Sequence, residues 1–244
     1  MTPAENGPFE IKAWAALVEA MRGEIASAPS LEEASRIAAA RIHAAVAPSA
    51  PLVRVYAVLP HEVLPPDVQA FVEMLAPDGA VVSRRTPVLA LLGTAGAKPE
   101  WNDRRASWAH KGIPLVSAAF VDTIPMLARL LRELGMDLAW LDEAPDIITR
   151  RLIGGFNGVF YVEDARTVED ARGRLVIPAT DFVEGENIRT VFGMGGIYPD
   201  GTVLVCIVFT RVTVSRDTVD RLTSLLTMLK GETFGAVRAR RFFG

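Results

Sequence analysis

A single cysteine in 244 residues, Cys206, has no partner for an internal disulfide and excludes a cysteine-rich metal site. It also suits a reducing compartment, where thiols stay free. Histidine is nearly as scarce. His43, His61 and His110 are the whole set, and no two stand one turn apart, as a helical zinc or iron site requires. Charge of one sign is missing too: 26 Lys and Arg face 29 Asp and Glu, a formal net charge of -3. Nucleic acid and anionic membrane surfaces are bound mainly through clustered cations, so neither partner is expected. The most basic stretch, Arg238, Arg240 and Arg241, reads as a solvated chain end. The longest apolar run, Val203 to Phe209, has seven residues, where a membrane helix needs about 20. The opening MTPAENGPFE lacks the positive cluster and apolar core of a signal peptide. These absences together lead to the expectation of a soluble, cytoplasmic protein.

What is present suits one compact domain: 50% hydrophobic and 23% charged residues, in a chain near the upper size for a single core. Residues 1–8, with Pro3 and Pro8, read as a loose leader, 9–232 as the domain and 233–244 as a tail. From Phe9 to Ala26, the apolar residues Ile11, Trp14, Leu17, Val18, Met21 and Ile25 recur at helical steps. Ser30 and Glu33 form a capping-box pattern ahead of a second helix, Leu31 to Val46. Pro51 to Leu59 and Val88 to Thr94 have strand character, with a short amphipathic piece, Asp67 to Leu75, between them. Ile113 to Val116 reads as briefly extended. Pro125 opens a helix with a stripe of Met126, Leu127, Leu130, Leu131 and Leu134, and Gly135 stops it. Val159 to Val162 is a third strand.

The closing third carries the clearest pattern. Ile188 to Ile197 and Thr202 to Val212 are strand-like runs joined by Tyr198-Pro199-Asp200-Gly201, a hairpin by composition. Both faces of the second run are apolar, so this strand should be covered from both sides. Ser215 then caps a helix with Val219, Leu222, Leu225, Leu226 and Leu229 on one stripe, read as ending at Gly231. Helices at both chain ends, a hairpin and a long insert between strands describe an α+β domain with a central antiparallel sheet.

LEEASRIAAARIHAAVAPSAPLVRVYAVL, VFYVEDA and NIRTVFGMGGIYPDGTVLVCIVFTRVTVSRDTVDRLTSLLTML follow one another in an order that resembles the GAF sensor family. The match is strongest over residues 188–230. Residues 60–157 are longer than in a compact member, so the lining of the family's pocket does not align there. The resemblance implies a bacterial sensory or regulatory domain that binds a small molecule, of unknown identity, and signals through a homodimer or a separate signalling protein. The alternative is a ligand-free dimerisation or protein-docking module, and an enzyme is a distant third. The dimer would use the first and last helices, through Trp14, Leu17, Leu222 and Leu226.

Candidate ligand-binding residues lie in the insert WNDRRASWAH. Trp101 and Trp108 offer stacking faces, Arg104 and Arg105 anion forks, and Asn102 and His110 hydrogen-bonding groups. Asp164, after the third strand, is a further candidate. The plainer reading of each is structural: a loop anchored by its tryptophans, and an aspartate that caps a turn. No catalytic residue and no metal site is assigned. Haem would need His110 as axial ligand with Met126 or Met194, and a bilin would need an accessible thiol; neither is favoured. GAF-like enzymes that reduce free methionine sulfoxide depend on several cysteines, and this chain has one. Gly193, Gly195 and Gly196 match no phosphate-loop spacing and read as a bend in the hairpin.

Overall fold

The computed structural model describes residues 9–107, 110–143 and 157–244. Two helices open it, α1 (Ile11–Ala26) and α2 (Leu31–Val46). Ser30 caps α2 by accepting from the Glu33 amide at 3.2 Å. The other half of the expected box is absent, because the Glu33 carboxylate turns to Arg36 at 2.6 Å. Strand β1 (Leu52–Pro60), helix α3 (Pro66–Leu75), strand β2 (Pro87–Gly96) and the short strand β3 (Gly112–Pro114) follow. Next come α4 (Ala118–Asp122), α5 (Pro125–Glu133), β4 (Asn157–Val162) and α6 (Thr180–Gly185). The chain closes with β5 (Val191–Ile197), β6 (Val203–Phe209), α7 (Arg216–Arg221) and α8 (Ser224–Arg238).

The six strands form one sheet in the order β3-β2-β1-β6-β5-β4, every neighbouring pair antiparallel. The fold is the expected α+β arrangement around an antiparallel sheet. All of β6 is buried, and its alternate residues enter two different cores. Leu204, Cys206 and Val208 face α1, α2 and α8, together with Val53, Val55, Phe192, Met194 and Leu225. Val203, Val205 and Ile207 face α4 and α5, with Phe160, Leu127, Leu131 and Leu134. The hairpin is roofed from both sides, as its two-faced apolarity demanded.

The two hairpin strands are shorter than their patterns. Thr210 Oγ1 donates to the carbonyls of Thr190, at 2.8 Å, and Val212, at 2.7 Å. Side-chain bonds of this kind compete with the ladder and turn the chain. The turn itself is as read: Gly201 takes φ +92°, and the Tyr198 amide donates to Thr202 O at 2.7 Å.

The last helix differs more. Ser215 caps α7 alone, and after a break at Leu222 and Thr223 the longer α8 runs through Gly231 to Arg238. Gly231 does not stop it, because Ala236 and Val237 beyond it still reach the core. Residues 233–238, set apart as tail, therefore complete the helix. Residues 241 and 242 then lie across the start of α2, where the Leu31 and Glu32 amides donate to Arg241 O and Phe242 O at 2.9 and 2.8 Å. The Phe242 ring is buried, while Arg238, Arg240 and Arg241 are exposed. Among the described residues, no helix is long and apolar enough to cross a membrane.

Candidate functional site

Among the described residues, β1 carries the one charged side chain found in a strand of the sheet, the part-exposed Arg54. Leu52 and Tyr56 face the α4–α5 side, while Val53 and Val55 face α1 and α2. The strand period therefore puts Arg54 on the α4–α5 side as well. Its Nη1 donates to the Tyr56 hydroxyl at 3.3 Å. Its Nε is buried and, among the described residues, has no hydrogen-bond acceptor, and no carboxylate there forms an ion pair with it. The residue as a whole is part-exposed, so the cost falls on the buried Nε–H that is left without an acceptor. His110 stands nearby and is exposed by surface area, although protein atoms crowd around its ring. Packed surroundings, and then the Arg54 charge, push its imidazole down to about 4, so it is neutral near pH 7.

The insert after β2 roofs this end of the sheet. Thr94, opposite Arg54 in the β1–β2 register, donates its hydroxyl to Trp101 O at 2.8 Å. The Trp101 ring meets Phe182 of α6 edge-on at 5.6 Å, and Phe182 meets Phe209 at 5.4 Å. Asn102 is consumed by the backbone: its Oδ1 accepts from Gly96 N, and its Nδ2 donates to the carbonyls of Gly96 and Lys98. That closes the β2 edge where β3 no longer pairs with it. Lys98 reaches the buried carboxylate of Glu186 at 2.9 Å, and Arg211 reaches it at 2.6 Å. Lys98 foremost, and then Arg211, hold Glu186 below the usual carboxylate range.

The other candidates go elsewhere. Arg104 turns to the helical side, where it pairs with Glu32 of α2 and stacks 5.3 Å from the Phe243 ring. Arg105 is exposed. The two line an open cleft of about 510 Å³ between the start of α2 and the β2 edge. Trp108 lies outside the described residues. Asp164 belongs to a separate corner: it accepts from the Arg166 amide and side chain, which hold its carboxyl low. In the strand register, Gly96, Leu52, Phe209, Val191 and Val162 form one row. Asp164 therefore sits four strand spacings, about 19 Å, from the insert. It acts as a turn cap and does not join the Arg54 cluster.

Met194 is buried on the helical face, away from the side where His110 stands, while Met126 packs on the α4–α5 face. Cys206 is wholly buried, and burial pushes its thiol up to about 12. No group of three or more His, Cys, Asp or Glu among the described residues is placed to hold a metal ion. The expected dimer residues are also corrected. Trp14, Leu222 and Leu226 are buried within the chain, Leu17 packs on the same core, and Trp14 Nε1 donates to Leu222 O at 3.0 Å. A stripe at helical spacing shows that a helix is covered, not whether its own chain covers it. Sequence reasoning also missed Arg54, Lys98 and Glu186. The available signal was a lone arginine amid PLVRVYAVL, a strand with no other charge.

No family model matches the chain, and no curated protein matches it in sequence. Solved structures do match in fold. The free methionine-R-sulfoxide reductase of Neisseria meningitidis, solved with its substrate, is 12% identical with a TM-score of 0.51, over 94% of this chain and 93% of that one. A GAF domain from an Acinetobacter phosphoenolpyruvate-protein phosphotransferase is 14% identical with a TM-score of 0.47, over 92% and 94% of the two chains. The phycocyanobilin-bound GAF domain of a cyanobacterial phytochrome is 12% identical with a TM-score of 0.49, over 93% and 96%. At such identities the likeness concerns the fold alone, and of these three only the reductase exceeds a TM-score of 0.5.

Proposed function

We propose that the chain is a non-catalytic regulatory domain that holds a small anionic molecule on the α4–α5 face of its sheet, beneath the insert. One observation carries this reading: Arg54, part-exposed on the α4–α5 side, keeps a buried Nε without an acceptor and has no carboxylate partner among the described residues. A bound anion supplies the missing counter-ion and acceptor. Neutral His110 and the Tyr56 phenol add hydrogen-bonding groups without adding charge. Trp101 and Phe182 offer an apolar wall for the rest of the molecule. Against catalysis stands the lone thiol, buried and held protonated. The occupied state would be read out by a partner or a second copy of the chain.

The test is native mass spectrometry with thermal unfolding against a panel of small carboxylates and phosphates. A ligand at about 100 times its dissociation constant should raise the midpoint by about 5–10 °C in the wild type. Arg54→Met should abolish the shift. A compound that stabilises both proteins equally would remove Arg54 from the site. The second reading, a ligand-free docking module, draws on the exposed Phe234 of α8 and Ile11 of α1. It gains if the wild type retains nothing and no compound moves its midpoint.

A further inference from the structure

We infer that residues 239–244 form a strap seated by the same insert that roofs the ligand face, so that occupancy of that face is passed to the end of α8. This rests on the site reading above and adds its regulation. The Glu32 carboxylate is the junction. One oxygen holds Arg104 of the insert, and the other accepts from the Gly244 amide at 3.1 Å. Both Arg104 and Glu32 are largely buried there, at 10% and 17% side-chain exposure, so the pair is only weakly screened by solvent. Arg104 also lies over Phe243, while Phe242 beside it is buried in the helical core. The strap in turn satisfies the first two amides of α2 through Arg241 O and Phe242 O.

Seated, the strap closes a helix start and an aromatic pocket. Unseated, it opens both together and frees the end of α8. That is a two-state element of the kind an effector can bias. Its link to the site is short and continuous: Arg54 lies opposite Thr94, Thr94 holds Trp101, and Asn102 fixes the strand edge two residues before Arg104. By reciprocity, loosening the strap must loosen the insert.

Hydrogen exchange on the full chain tests this without a ligand. The Leu31 and Glu32 amides report the strap, and the Gly96 amide, held by Asn102, reports the insert. Phe242→Leu, which keeps an apolar side chain, should speed exchange at Leu31 and Glu32 about tenfold and at Gly96 about fivefold. In an Arg104→Gln background the same substitution should still act at Leu31 and Glu32 but no longer reach Gly96. No response at Gly96, or one that is unchanged by Arg104→Gln, overturns the coupling. Arg54→Met separates this outcome from the site reading. If it leaves Gly96 exchange unaltered, the site is not linked to the insert, and the Phe242→Leu result still decides the strap.

Discussion

The two faces of the sheet are closed by different means. On one, α1, α2 and α8 lay long apolar stripes on Val53, Val55, Met194 and Cys206, with Trp14 as a rare polar contact. On the other, two short helices and α6 leave gaps, which are filled by an insert tied down through Thr94, Asn102, Lys98 and Glu186. Burial against three helices gains from every methylene and has no cheap rearrangement. An insert held by a few polar contacts can reseat by exchanging them for water. The fold thus combines a rigid face with one that can change at modest cost.

That contrast can be broken most directly at the rigid face. Leu222 is fully buried, beside the carbonyl that accepts from Trp14. Leu222→Asp should cost about 3–5 kcal/mol, from a lost apolar group and a buried charge without a partner. Urea unfolding would show it, and a loss under about 1 kcal/mol would mean that this face yields more readily than its packing implies. Glycines sharpen the comparison. A Cβ at Gly93 would lie 2.2 Å from Ser35 O of α2, a backbone atom that moves only with the helix. Gly93→Ala should cost about 3 kcal/mol. At Gly195, on the other face, the nearest atom is the tip of the Leu134 side chain at 2.5 Å, which can change rotamer. The strand preference of alanine over glycine offsets that adjustment, so Gly195→Ala should stay within about 1 kcal/mol of wild type. Equal losses at the two glycines would erase the distinction between the faces.

The rigid face is also the one the sequence made legible. Period-3.6 stripes located α1 and α2, Ser30 marked the start of α2, and two-sided apolarity in Val203–Phe209 required two roofs. These features are local, and hydrophobic periodicity reports them directly. Apart from α5, whose stripe was read, the α4–α5 face escaped because its parts are short and joined by long-range contacts. α4 and α6 have five and six residues, too few to show a period. Glu186 meets Lys98 and Arg211 from three separate segments. Within WNDRRASWAH the residue types were suggestive, but direction was invisible. Trp101 faces the α4–α5 side and Arg104 the helical side, three residues apart. Asp164 stands apart for a plainer reason: its carboxylate is engaged by Arg166 of its own turn and by Arg189.

The smallest effect concerns acid. Unfolded His110 titrates near its ordinary value of 6.5, while the folded imidazole is pushed down to about 4 by packing and then by Arg54. Between those values the unfolded chain binds more protons than the native one, so stability rises with pH across the window and is lost as pH falls from about 6.5 to 4. His110→Gln removes the titration, and urea midpoints between pH 4 and 7 should then change less steeply than in the wild type. Glu186, with its folded carboxyl held low by Lys98 and Arg211, contributes in the same direction, but only as pH drops through and below its ordinary 4.5. The two are separated by their windows: His110→Gln flattens the limb above pH 5, whereas Glu186→Gln acts below it. An unchanged limb above pH 5 in His110→Gln would mean that this imidazole is as free as its open edge, which would remove it from the neutral hydrogen-bonding groups assigned to the site.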